Sequence, residues 1–451
     1  MNSRKGFMPL FSRRAVRPRP RISKRIGASV AAVVTVVLAL GWFIVRPPRE
    51  PDSAPLVVND VTQLNPIQVG QIIVPTETRE IVEAVKRSAG PISIGGARHS
   101  MGGQVASAGS LHIDMRRFDR IVTSLPDEKR ITVQAGATWR QIQERIDRDN
   151  LSIAIMQTYA DFTVGGSLSV NVHGRYVGLG PIVLSVISFR IVLPDGSLVD
   201  VSPTVNPEIF YGAIGGYGGL GVITDATLQL TDNVKVKRTD LSMSIEEYPK
   251  YFMNTIRSSP DAMFHNGDIY PGAYDVVHAV TYTTTDEPVT VSDRLIPTDG
   301  TYSLNRFALW LISEWPFSRA IRQHLVDPIL FRDEPVTWRN YEASYDASGL
   351  EPASPNVSIR HAKPDPGSLL AWARSEVFTF VVYYKQGTSP SDQEEVGVWT
   401  RDLIDAALST GGSYYLPYQL HATEAQFLKA YPRAPEFFAL KRRLCAAPVC
   451  L

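Results

Sequence analysis

Two cysteines in 451 residues, Cys445 and Cys450, both fall within the last seven positions. No Cys or His cluster has metal-ligand spacing, so neither a structural zinc nor a thiol nucleophile is assigned, and the metal expectation is none. Net charge is scarce as well: 46 basic against 45 acidic residues leave +1 at pH 7, which gives no electrostatic footprint for nucleic acid. Acidic residues are missing altogether from positions 1–49. There is no internal repeat and no long low-complexity segment.

What remains in the first 49 positions is basic and then apolar. Nine basic residues from Arg4 to Arg25 precede Gly27–Val45, nineteen residues without a charge. That is long enough to cross a hydrocarbon core of about 30 Å. A cleaved secretory signal and a buried core helix are the competing readings, but no Ala-x-Ala site follows, and Pro47, Pro48 and Pro51 read as a linker. The expectation is an uncleaved single-pass membrane helix, N-terminus cytoplasmic by the positive-inside bias, with the rest of the chain on the outer side. Ser12-Arg13-Arg14 is a weak match to a twin-arginine export signal.

Glycine is concentrated where chemistry needs it. After the apolar strand at Pro91–Ile94 comes Gly95-Gly96-Ala97-Arg98-His99-Ser100-Met101-Gly102-Gly103-Gln104. Glycine lets successive N–H groups converge on an anion, Arg98 and Ser100 add charged and hydroxyl donors, and His99 brings a nucleophilic imidazole. Ile131–Thr138 reads as a strand ending at Gly136, with an amphipathic helix from Trp139 to Asp149. A second anion-ready loop runs from Gln157 through Gly165, Gly166, Ser169, Asn171 and His173 to Gly174-Arg175, and Pro194-Asp195-Gly196-Ser197 closes a hairpin within Phe189–Val201. The last run, Gly216-Tyr217-Gly218-Gly219-Leu220-Gly221, is formally a dinucleotide fingerprint. A strand-like segment, Val222–Leu230, follows where that fingerprint needs a helix, so a Rossmann fold is excluded.

The order of these five motifs, from about Gln63 to Asn233, resembles the FAD-binding, PCMH-type domain of the vanillyl-alcohol oxidase family. The resemblance implies an α+β fold: a two-subdomain FAD-binding domain and an antiparallel-sheet cap domain, preceded by the single transmembrane helix. It divides the chain into a basic N-terminus (1–26), the helix (27–45), a linker (46–62), the FAD domain (63–235), the cap (236–420) and a C-terminal return segment (421–451). It implies FAD contacts at Gly95, Gly96, Ala97, Arg98, His99, Ser100, Gly165, Gly166, Ser169, Asn171, Gly174, Val222 and Ile223. His99 stands where some members attach the flavin covalently; the alternative is a hydrogen bond to the diphosphate. His173 is expected to pack or cap its own loop.

Beyond Lys235 aromatics replace glycines, with candidate elements at Asp261–Tyr270, Val276–Thr283, Ser303–Asp327, Val357–His361, Val377–Lys385 and Ser391–Leu408. Strand alternation sets Phe378, Phe380, Val382 and Tyr384 against Thr379, Val381, Tyr383 and Lys385. Lys385 is then a pocket candidate, while Arg360-His361 reads as an exposed pair. Sugar-lactone and alditol oxidases of the family carry a His-Trp-Gly-Lys motif near the flavin; here Leu416-Pro417-Tyr418-Gln419 stands in its place. Lys385, His421 and Gln419 are therefore the catalytic candidates, or a tyrosine supplies the base. The tail Leu444–Leu451 also departs from the family and is expected to weaken cofactor retention.

The expected activity is oxidation of a CH–OH group of a sugar, polyol, lactone or lipid-linked sugar by hydride transfer to flavin, with oxygen, a quinone or a carrier protein as electron acceptor. Reduction or dehydrogenation of a C=C bond in a lipid or sterol-like molecule is the alternative, and a non-catalytic envelope protein with a degenerate flavin fold is the reading from another class.

Overall fold

A computed structural model of the chain describes residues 55–269, 275–298, 334–345, 356–384 and 386–445. The apolar run 27–45, the segment Ser303–Asp327, Lys385 and Cys450 lie outside them. Among the described residues no helix is long and apolar enough to cross a membrane.

The first part of the chain builds a short pair, β1 (Val57–Val58) with β2 (Ile67–Gln68), and a parallel three-stranded sheet of β3 (Gln71–Ile73), β5 (Leu111–Asp114) and β4 (Ile92–Gly95) in that order. Between β3 and β4 runs α1 (Thr78–Arg87), started by a reciprocal Glu77/Glu80 capping box and burying Ile81, Ala84 and Val85 at helical spacing.

A mostly antiparallel sheet follows, with β10 (Leu198–Val201), β9 (Val186–Val192), β11 (Val222–Asp232), β7 (Arg130–Gln134) and β6 (Ile121–Leu125) in spatial order, and β8 (Leu151–Ile153) on the far end of β11. The expected hairpin pairs Leu198 with Val192 around a turn in which Gly196 takes φ +79° and Asp195 Oδ1 accepts the Ser197 N–H at 2.8 Å. Helix α2 (Trp139–Ile146) starts at a Thr138/Gln141 capping box and buries Trp139, Ile142 and Ile146; Asp147–Asp149 continue it only as a tighter turn. The Trp139 indole donates to Ser167 Oγ at 2.9 Å, and Ser167 to Gln157 at 3.1 Å, so the core contains a satisfied polar thread.

The second large sheet begins at Lys235. Its order is β15 (Val336–Trp338), β12 (Lys235–Ser244), β14 (Val276–Thr284), β13 (Ala262–Ile269), β16 (Asn356–Ala362) and β17 (Val377–Tyr383), every pair antiparallel. One face is covered by α3 (Tyr248–Tyr251) and its extension Phe252–Ile256, which pack on Ile269, Val277, Ile359 and Phe378. Helices α4 (Pro390–Ser409), α5 (Glu424–Ala430) and α6 (Ala434–Leu444) complete the fold around Ile404, Leu408, Tyr431 and Phe437. Cys445, after α6, is disulfide-bonded. The two terminal cysteines, which composition left without a task, thus include a structural one.

Candidate active site

Five consecutive backbone donors mark the centre of the site. From Gly96 to Ser100 no N–H finds an acceptor among the described residues, whereas the next three do: Met101 on the Pro417 carbonyl at 2.7 Å, Gly102 on Gln104 Oε1 at 2.9 Å and Gly103 on Asp60 at 2.9 Å. Backbone donors in a half-buried loop are rarely left idle without a reason. Arg98 sits at φ +64°, which turns the peptides on either side of it toward one point. Its guanidinium is tethered to Asp114 at 3.1 Å, and Asp114 also holds Arg116, yet Arg98 Nε is buried with no partner. His112 Nε2, beneath Gly95, is likewise buried and unpartnered.

His99 is fixed on two sides. Its ring stacks on Phe162 with centroids 3.9 Å apart and 12° between planes, and Nε2 lies 3.1 Å from Asp161. With Nε2–H directed at that carboxylate, Nδ1 keeps the lone pair.

The second glycine segment is a short helix rather than a loop, Val164–Ser169, with Val164 and Gly165 donating to Ala137 and Ala135 at 2.8 and 2.7 Å. Glycine is needed at 165 because a Cβ would stand 2.8 Å from that of Ala135. Gly166 sits beside Thr163, the Ser169 carbonyl accepts Tyr217 N–H at 2.9 Å, and Gly174 is packed under the Tyr176 ring. Asn171 ties the loop to the following chain: its side-chain amide donates to Asp365 at 2.6 Å, and its backbone carbonyl accepts the Trp372 indole at 2.9 Å. Val222 and Ile223 open β11 in the core, opposite Val192 and Ile191. Ala97 and Ser100 lie half-buried in the first loop.

The segment that replaces the family's His-Trp-Gly-Lys motif docks on the first loop. Gln104 Nε2 donates to the Leu416 and Tyr418 carbonyls at 2.8 and 2.9 Å, and the Tyr415 hydroxyl reaches the Val170 carbonyl at 2.8 Å. Tyr418 is 42% exposed as a residue, yet its phenol is pushed up to about 12 by desolvation of the hydroxyl end and by Tyr383, so it stays a donor. Gln419 is half-exposed beside it, and His421 rests against Gly397 and Arg401 of α4, its basicity lowered by burial and then by Arg401. Lys385 lies outside the described residues.

Arg360 and His361 are not an exposed pair. Successive strand residues face opposite sides, so His361, 7% exposed, turns outward to the Phe252 and Phe378 rings with Glu376 Oε1 2.8 Å from its Nε2, although not along a hydrogen-bonding direction. Arg360 turns to the opposite face, toward Tyr159 and His173. It makes no ion pair among the described residues, its Nε is buried and unpartnered, and its charge is felt by His173, Tyr159 and Tyr418. Tyr159 in turn pairs with Tyr383 of β17, and burial raises its phenol. No motif announced this cluster. Its members come from positions 159, 360, 383 and 418, and only folding brings them together.

Three histidines are held neutral by burial: His112 at about 4, assisted by Arg98, and His173 and His265 at about 3, assisted by Arg360 and His361. His173 packs as expected for its loop, with Trp372 at 4.6 Å and Tyr415 at 5.7 Å. In the unfolded chain each takes a proton as pH falls through 6.5, so their contribution to stability is complete above 6.5 and lost toward 4 and 3. The loss approaches about 1.4 kcal/mol per group per pH unit. Urea midpoints should fall steeply from about pH 7 to about pH 5; a flat profile would show that these rings are not held neutral.

Comparison with known proteins agrees with the geometry. Residues 70–202 match the FAD binding domain family. The chain is 28% identical over 187 residues to cytokinin dehydrogenase 2 of Arabidopsis thaliana, covering 40% of this chain and 37% of that one. L-gulonolactone oxidase of Mus musculus is 24% identical over 171 residues, 38% of this chain and 39% of the relative; mitochondrial L-galactono-1,4-lactone dehydrogenase of Brassica oleracea is 28% identical over 138 residues, 31% and 23%. The matched part thus spans less than two fifths of each relative. The unpaired donors at 96–100, the orphaned Arg98 Nε and His112 Nε2, and the match around them agree: residues 70–202 have the marks of an FAD-binding domain, and FAD is the cofactor of this chain.

Proposed function

We propose that the chain is an FAD-dependent oxidoreductase that oxidises a CH–OH group of a small polyhydroxylated substrate, a sugar lactone or polyol, or of a lipid-linked sugar. Bound FAD supplies a two-electron acceptor for hydride from carbon. The observation that carries the reading is the run of five unpaired N–H groups at Gly96–Ser100, which offers a diphosphate its donors at no cost in reorganisation. The first sheets cradle the cofactor, and the second large sheet supplies the substrate face. There Arg360 and the phenols of Tyr159, Tyr383 and Tyr418 form a donor-rich surface suited to several hydroxyl or carbonyl oxygens. The relatives bear the names of both oxidases and dehydrogenases, so oxygen, a quinone or a carrier protein would take the electrons onward. The apolar run Gly27–Val45 would anchor the protein in a membrane with the flavin domain on its outer side.

Anaerobic mixing of the yellow protein with L-gulono-1,4-lactone, L-galactono-1,4-lactone, sorbitol and an enoyl lipid tests the reading. Bleaching by a hydroxylated compound supports it, and bleaching by the enoyl lipid alone replaces it with C=C chemistry. His99 would tether the flavin through Nδ1, because Asp161, 3.1 Å from Nε2, orients the ring with the Nδ1 lone pair free to attack. Acid precipitation should leave the colour in the pellet for wild type and in the supernatant for His99→Ala; colour in the wild-type supernatant would make His99 a non-covalent contact.

A further inference from the structure

The substrate-facing side of the second large sheet holds a half-buried carboxyl group, Asp268, that no motif pointed to. β13 and β16 pair with Gly267 opposite Ile359 and Asp268 opposite Ser358, and β14 sets His278 opposite Asp268. Alternation then places Asn266, Asp268, Ser358 and Arg360 on one face, and His265, Ile269, Ile359 and His361 on the other. The second set is sealed by α3 and its extension: the Tyr248 hydroxyl lies 3.1 Å from His265 Nε2, and the Phe252 ring is 4.9 Å from His361. The first set faces the FAD domain, whose Arg175 lies over the Phe264 and Tyr282 rings of the same face at 5.2 and 4.7 Å.

Asp268 makes no ion pair among the described residues. Its Oδ2 accepts from Asn266 Nδ2 at 2.5 Å, and Ser358 donates to the same carboxyl group. Two further polar atoms beside it are buried without partners, Asn266 Oδ1 and Arg360 Nε. An unpaired acceptor and an unpaired donor flanking a carboxyl group, all on the substrate face, describe a place for an alcohol, which both donates and accepts.

We propose that Asp268 is the catalytic residue that accepts the hydroxyl proton of the substrate, with Asn266 and Arg360 seating the oxygen that loses it. The assignment rests on the CH–OH reading above. In the step, the substrate C–H bond breaks and its electron pair passes as hydride to FAD. The O–H bond breaks, its pair becomes the second C–O bond, and the proton ends on the Asp268 carboxylate and later on water. The substrate is oxidised by two electrons and FAD is reduced by two. Burial raises Asp268 from the ordinary carboxylate value against the pull of Ser358, Arg360 and Arg175, which brings its basicity nearer to that of a working general base. The titratable and charged groups on its face are His278 from β14 with Asp240 of β12 3.8 Å from it, Arg360 from β16 and Arg175 from the FAD domain, while Tyr248 of α3 lies across the sheet on the other face.

The test uses the full FAD-loaded chain as wild type, Asp268→Asn and Asp268→Glu, reduced anaerobically by L-gulono-1,4-lactone, L-galactono-1,4-lactone and sorbitol across the neutral pH range. Asp268→Asn should keep its flavin spectrum, lose roughly 10²- to 10⁴-fold in reduction rate and lose the acidic limb of the pH profile, with part of the rate restored in Asp268→Glu. Infrared difference spectra on titration should show a protonated carboxyl band in wild type that is absent from Asp268→Asn. A variant Asp268→Asn that is reduced at the wild-type rate with the wild-type pH profile overturns the assignment alone. Loaded wild-type protein that dithionite bleaches and none of the three compounds bleaches refutes the CH–OH reading, and with it this role.

Discussion

Gly96→Val should purify colourless. At this position a Cβ would stand 3.2 Å from that of Thr163 and closer still to its hydroxyl, so a branched side chain must push the first loop away from the Val164–Ser169 helix. The five donors at 96–100 would then no longer converge, and Arg98, held at φ +64° and tied to Asp114, could not follow them. Thr163→Ala/Gly96→Val should recover part of the flavin, because it removes the group that the new side chain strikes. The measurement is the flavin-to-protein absorbance ratio after reconstitution with excess FAD. The fold should survive, since Thr163 and Gly96 lie outside the large apolar cluster. A fully yellow Gly96→Val would show that the cradle does not depend on this approach.

Arg360→Leu should separate function from stability. A guanidinium with a buried, unpartnered Nε and no ion pair among the described residues is a cost to the folded chain. Its removal should leave the urea midpoint unchanged or higher. The same change deletes a charged donor from the substrate face, worth about 1.5–3 kcal/mol, so kcat/KM should fall roughly 10- to 100-fold. Lysine would restore the charge but not the forked geometry, and Arg360→Lys should recover only part of the loss. A coupled fall in activity and midpoint would make Arg360 a structural residue.

The glycine motifs were legible because each obeys a local rule. Gly196 sits in its turn, the strands at β9–β11 begin and end near where alternation set them, and the Gly216–Gly221 run leads into a strand. What failed was reasoning from one segment at a time. Arg360 and His361 were read as an exposed pair although one strand must send them to opposite faces, and the bond from the Asn171 amide to Asp365, 194 residues away, has no signature in its own segment. The Gly165–Gly166 segment looked like a loop, yet Ala135 and Ala137 provide carbonyls that start a helix there. Asp268 was invisible because a lone aspartate in a strand has no signature until its neighbours across the sheet are known. Tyr159 and Tyr383 share that difficulty, since their hydroxyls meet only when the segment after β8 packs on β17 of the second large sheet.

The most direct measurement is the visible spectrum of the purified full chain, repeated after incubation with FAD and removal of the excess. The account predicts an oxidised-flavin spectrum at about one FAD per chain, perturbed when Arg98 is replaced by alanine. A folded protein that shows no flavin absorption in either sample would contradict it.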